Sequence, residues 1–367
     1  MLFWLLQHYG HLLESVSART TGDSRIFLTG RVAAASVTAF VLSIVFGPLA
    51  IRWLKSRFRE RIASASATLN ALHASKQETP TMGGLFVMSA VLLSTLIWGN
   101  LQNAFLLLTL SVGILLTAIG AADDWIKQRT TRNGLTARHK LAAQIIVGVV
   151  AGIAVFVLQR TDPQAGAIVW PIGSGELALG PWIALWIAFV VVGSANGVNL
   201  TDGLDGLAAG CTVFCGAAMT TLVYISGHRE LSDYFGVPHV VDSGEVAVTL
   251  AALVGAMLGF LWFNCHPADV FMGDAGSLPT GGLLAMAAVI SRQELLLVIV
   301  GGVFVVETLS VILQVSCFRL TGRRPLRCSP LHNHFVFRGD HENRIVTRFW
   351  IASAVLAIIG IACLKLR

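Results

Sequence analysis

Charge is what this chain has least of. Of its 367 residues only 13% are Asp, Glu, Lys or Arg, against 55% hydrophobic, and a soluble domain carries roughly twice that charged share. With a mean hydropathy of +0.73, a soluble globular fold is excluded. No polar stretch is long enough to fold alone; the largest gaps, about 54–82 and 318–345, read as loops of the same domain. A membrane β-barrel is excluded too, because the apolar stretches are continuous rather than alternating with polar residues. Cysteine is sparse and unpaired: Cys211, Cys215, Cys265, Cys317, Cys328 and Cys363 show no CxxC spacing, so no disulfide framework is expected. Cys211 and Cys215, one helical turn apart, suit small apolar filler. There is no repeat of fixed period, no low-complexity tract and no nucleic-acid module. A formal charge of +6 therefore points to the lipid surface and to topology. The first 17 residues, MLFWLLQHYGHLLESVS, lack a small-residue cleavage site and read as a retained amphipathic segment at the interface.

Apolar stretches near 20 residues recur along the whole length. Ten spans are expected, at about 31–53, 83–99, 104–122, 141–158, 181–198, 207–226, 244–264, 277–291, 295–317 and 346–366. The eighth, with Pro279 and Gly281-Gly282, is expected to be broken or tilted. Of the 26 Lys and Arg, 18 follow spans one, three and nine, and 8 lie on the other side. The positive-inside rule then puts those loops in the cytoplasm and both termini outside. The expectation is an all-α polytopic membrane protein, one domain over residues 1–367.

Five polar clusters interrupt the apolar background, all in loops assigned to the cytoplasmic face. Asp123-Asp124 closes span three; adjacent carboxylates repel, and a divalent cation relieves that, although a hydrated helix end paired with Lys127 is the plainer reading. Asn199, Asp202 and Asp205, in NLTDGLDG, repeat at i, i+3, i+6 and suit recognition of a base and ribose, or merely a capped tight turn. Asp274, between Gly273 and Gly276 at a helix start, suits phosphate and Mg²⁺ or a simple N-cap; Phe271 nearby can stack on a flat base. Lys76, ahead of Thr79-Pro80-Thr81-Met82-Gly83-Gly84, offers a point charge to phosphate, or is an ordinary juxtamembrane lysine. His332 and His334, in PLHNHF, suit an anionic phosphate or proton handling better than zinc, since further ligands at zinc spacing are missing. Glu307 and Gln314 sit inside span nine; intramembrane Glu307 is the strongest argument for an ion-coupled transporter. Against transport stand the one-sided placement of the clusters and the lack of an inverted repeat.

The strings TPTMGG, DD, NLTDGLDG, NxxPAxVFMGDxGS, GGVFVVETLSVILQ and PLHxHF, in this order and spacing, resemble the phospho-N-acetylmuramoyl-pentapeptide transferase family along nearly the whole chain. The resemblance implies transfer of phospho-MurNAc-pentapeptide from a UDP-sugar to undecaprenyl phosphate with release of UMP. It also implies a Mg²⁺ requirement, ten transmembrane helices, periplasmic termini, a cytoplasmic cleft and a homodimer. By motif, Asp123, Asp124, Asp274, His332 and His334 fall on catalytic positions, with Asp274 and Asp124 the expected metal ligands. Lys76, Thr81, Lys127, Asn199, Asp202, Asp205, Asn264, Phe271 and Gln314 are expected around the substrate. The chain departs from the family where Asn333 replaces the middle histidine, Val336 a glutamate and Pro279 a small apolar residue. A UDP-GlcNAc:polyprenyl-phosphate transferase of the same superfamily is the rival reading.

Overall fold

The structure is a computed structural model that describes residues 27–57, 79–130, 134–162, 164–173 and 175–366. The segment 1–17 and Lys76 lie outside the described residues.

Long apolar runs become helices because hydrocarbon offers no partner for the backbone, and a helix pairs its own amides and carbonyls. The chain forms α1 (Leu28–Arg57), α2 (Gly84–Trp98), α3 (Ala104–Arg129), α4 (Ala137–Leu158), α5 (Ile183–Thr201), α6 (Leu207–Gly227) and the short α7 (Arg229–Phe235). It continues with α8 (Val246–Asn264), α9 (Asp274–Ile290), α10 (Glu294–Val300), α11 (Gly302–Thr321), α12 (Leu331–Arg338) and α13 (Glu342–Ala362). Local signals set several ends. The Asn103 side chain accepts from the Leu106 N–H to open α3, and Lys127 and Arg129 close it, favourable charges for a C-terminus. Thr136 opens α4 in the same way.

Among the described residues, eight helical stretches are long and apolar enough to cross a membrane; Gly84–Trp98 and Asp274–Ile290 are apolar but shorter. All of α9 is buried. It packs against α3 and α5, with α2 and α6 also in contact. Around it the bundle has an apolar core, as a soluble protein has, but an apolar outer surface as well. The outer helices α1, α4, α11 and α13 present Val37, Ile146, Leu313 and Ile358 outward, an apolar coat that suits lipid rather than water.

Two spans differ from expectation. The eighth span is an unbroken helix despite Pro279. Proline removes only one backbone donor there, and close packing along all of α9 holds the helix together. The break falls instead in the ninth span, between α10 and α11 at Gly301-Gly302, where two adjacent residues of poor helix propensity meet. The all-α expectation holds, with one short addition. A two-stranded antiparallel hairpin, β1 (Ala167–Val169) and β2 (Glu176–Ala178), joins α4 to α5 with Ile168 opposite Leu177.

Candidate active site

Where α3 ends, it meets the start of α9. Gly120 permits this, since a β-carbon there would overlap the Asp274 carbonyl oxygen. The close crossing brings Asp123 and Asp124, both buried, beside Asp274, the first residue of α9. Carboxylate oxygens of the three lie within 4.8 Å of one another. Asp124 Oδ2 accepts the Ala275 N–H at 3.0 Å, capping α9 from another helix at its positive end. Asp123 Oδ1 accepts the Leu135 N–H at 2.7 Å.

Two lysines hold this crowd of like charge together. Lys127, one turn beyond Asp123, places Nζ 2.6 Å from Asp123 Oδ2, 2.9 Å from Asp274 Oδ2 and 3.6 Å from Asp124 Oδ1. Lys140, in the first turn of α4, lies 2.5 Å from Asp274 Oδ2 and 3.7 Å from Asp123 Oδ2. The remaining Asp274 oxygen accepts from Asn199 Nδ2 at 2.7 Å, and the same amide reaches Ser277 Oγ at 2.8 Å. Three carboxylates thus face two ammonium groups at low solvent access, an arrangement that favours a further cation. Mg²⁺ takes oxygen donors, commonly one or two carboxylates together with substrate phosphate, and Asp123, Asp124 and Asp274 fit that preference. Lys140 was read from sequence only as a topology-setting charge, and Ser277 only as part of a motif string.

The segment before α9 is tied to the TPTMGG segment. The Phe271 N–H donates to the Pro80 carbonyl and the Gly83 N–H to the Phe271 carbonyl, both at 2.8 Å. Phe271 is half-buried, and Thr81 is buried beside Gly273. Asn264 stitches this segment to NLTDGLDG, accepting from the Gly206 N–H at 3.1 Å and donating to the Val270 carbonyl at 2.8 Å. Asp202, half-exposed, closes the C-terminus of α5. Asp205 belongs to a second cluster: its Oδ2 lies 2.9 Å from His266 Nδ1 and accepts the Ala268 N–H at 3.2 Å, while its own N–H donates to Glu342 at 2.9 Å. Neither His266 nor Glu342 was singled out from sequence.

The histidine motif lies on α12, and its two imidazoles part company. His334 Nδ1 accepts the Arg327 N–H at 3.1 Å, and Gln314 holds both the N–H and the carbonyl of Leu326. Those two residues shape the 326–327 loop. His332 is buried against Glu307, so the carboxylate that argued for transport is committed to an imidazole. Asp269 is exposed and joins neither carboxylate cluster.

Such a fold and centre define a class: an integral-membrane enzyme whose carboxylates and lysines sit at helix ends. The glycosyl transferase family 4 model matches residues 105–292, just over half of the chain. A phospho-N-acetylmuramoyl-pentapeptide-transferase of Koribacter versatilis is 42% identical over the full length of both chains. Proteins of the same name from Nitratidesulfovibrio vulgaris and Oleidesulfovibrio alaskensis are 46% and 43% identical, over 93% of this chain and 94% of theirs. The chain belongs to the phospho-N-acetylmuramoyl-pentapeptide transferase family.

Proposed function

We propose that the chain transfers phospho-MurNAc-pentapeptide from UDP-MurNAc-pentapeptide to undecaprenyl phosphate, releasing UMP and forming lipid I for peptidoglycan. The observation that carries this reading is the Asp123–Asp124–Asp274 cluster with Lys127 and Lys140, together with the names of the relatives. A phosphate oxygen of the lipid attacks the sugar-proximal phosphorus; that P–O bond forms as the bond to UMP breaks. Both reactants are anionic, so neutralising charge is the main service the protein gives. Lys127 and Lys140 are placed to meet the phosphates, and Asn199 orients Asp274. Asp274 and Asp124, with Asp123 beside them, would hold Mg²⁺, which when bound supplies Lewis-acid stabilisation of the phosphoryl oxygens. Asp123 has little need to act as a base, because a phosphate monoester with a second pKa near ~6 is already mostly ionised at pH 7. Lys76, Asp202, Asp205 and Phe271 serve the nucleotide in this reading. The site faces the cytoplasm, ten helices span the bilayer with both termini periplasmic, and the chain works as one domain and as a homodimer.

The test is UMP release by detergent-solubilised protein given both substrates and Mg²⁺, beside Asp274→Asn. Release that needs lipid and metal and collapses in the variant supports the transferase. Release with UDP-GlcNAc in place of the pentapeptide donor moves the chain to the rival sugar class. A phospho-enzyme trapped with donor alone replaces direct attack with a two-step route through an Asp nucleophile.

A further inference from the structure

Glu307 is fully buried in α11, where its buried companions are Gly302, Val303, Phe304 and Ser310. A carboxylate in such a place persists only when donors surround it. His332 supplies two: its backbone N–H stands 3.1 Å from Oε1, and its ring Nδ1 3.2 Å from Oε2. His332 is the second residue of α12, so its N–H is among those that a first helical turn leaves unpaired. Glu307 therefore caps α12 from a different helix, with the sign that a helix N-terminus favours.

The other ring nitrogen, Nε2, is buried and has no hydrogen-bond partner among the described residues. Nδ1 faces the Glu307 carboxylate, and Nε2 forms the far edge of the ring. That edge rests on Gly203. A β-carbon at Gly203 would overlap Nε2 and stand 2.8 Å from Cε1, so glycine is required there for close approach. Gly203 follows the last turn of α5, four residues after Asn199, whose amide holds Asp274. Contact therefore runs from Glu307 through the His332 ring and Gly203 into the turn that aims Asn199.

We propose that Glu307 and His332 form a single positioning device that seats the NLTDGLDG turn, and through it the Asn199 amide on Asp274. Neither touches the reacting atoms, and His332 is a positioning residue rather than the acid, base or phosphate ligand that its motif suggests. The proposal rests on the transferase reading, since it assigns the pair a role in that reaction.

Steady-state kinetics on the full-length protein test it, with UMP release measured for Glu307→Ala, His332→Ala, the double variant, Glu307→Gln and Gly203→Ala. The two alanine variants should each lower kcat by about 100-fold, the scale of a small misplacement of reacting groups, while donor KM and the shape of the pH profile hold. The double variant should be no slower than either single, because the pair acts as a unit. Glu307→Gln keeps one acceptor oxygen for one of the two N–H groups and sets its NH2 against the other, so it should recover part of the loss. Gly203→Ala keeps both side chains but presses a β-carbon against the His332 ring and should still lower kcat, which covers the case in which removing Glu307 prevents folding. Losses that multiply in the double variant, a glutamine variant as slow as the alanine one, or a limb of the pH profile lost with His332 would each overturn the proposal. A parent protein that releases no UMP would instead sink the transferase reading. The same four-member cycle in melting temperature would then still test the pair, additive shifts counting against it.

Discussion

The two ends of α3 both border buried charge, and they are built on opposite plans. Near its start, Arg31 of α1 meets Glu245 through two hydrogen bonds of 2.9 and 2.5 Å. Arg31 also donates to the Trp98 carbonyl at 3.1 Å, and Glu245 accepts the Asn100 N–H at 3.1 Å. A guanidinium meets a carboxylate in a planar fork, and neighbouring backbone adds to it. Near its end, three carboxylates share two lysines, and Asp274 Oδ2 alone takes both ammonium groups. The first arrangement is closed and staples helices together. The second is crowded with one sign of charge, three carboxylates against two ammonium groups, which suits a further cation. Balance, more than burial, separates a structural charge from a chemical one.

Changes at each end should therefore read on different scales. Asp274→Asn should lower UMP release by about 1,000-fold, the scale of losing a principal electrostatic group. Its unfolding midpoint should also fall, since Asp274 pairs both ammonium groups and its loss leaves Lys127 and Lys140 without their shared partner. Arg31→Met should act on stability alone. Glu245 would be left buried without its cation, at a cost of about 3–5 kcal/mol, seen as a lower midpoint in detergent while turnover per folded molecule holds. Should Arg31→Met leave the midpoint unchanged, the staple half of the contrast fails. Lys140→Met leaves Lys127 on Asp274 and should slow turnover by about 100-fold; a full-speed variant would make Lys140 a topology charge after all. Mg²⁺ should raise the melting midpoint of the parent and of Arg31→Met but not of Asp274→Asn, because only a ligand bound by the folded site stabilises it. The smallest effect is expected at the Asp205 cluster. His266→Ala removes one of several groups on Asp205 and should raise donor KM slightly, with kcat unmoved.

Much of this was legible in the chain. Each expected span has a helix under it, because hydropathy is summed over neighbours and needs no knowledge of the fold. Asp123, Asp124 and Asp274 stood out because carboxylates against long apolar runs are costly and rare. Lys140 was hidden among basic residues whose common role is orientation. Glu307 was visible as an anomaly, yet its partner lies 25 residues on, across a helix end and a loop whose path no local pattern describes. The break at Gly301-Gly302 was missed because proline is the louder signal, while packing around α9 decided where a helix survived.

The sequence by itself determined that this is a helical membrane protein and which residue types interrupt its apolar spans. These follow from transfer of side chains and backbone between water and hydrocarbon, a property of each segment taken alone. Only the tertiary structure decided which charges meet. Asp274 finds Lys127, Lys140 and Asn199 across separations of 147, 134 and 75 residues. The Lys127 meeting depends on the close crossing that Gly120 allows between α3 and α9, and the Asn199 meeting on the close approach of α5 to α9 at Gly281. Electrostatics at 3 Å is set by such crossings rather than by order along the chain.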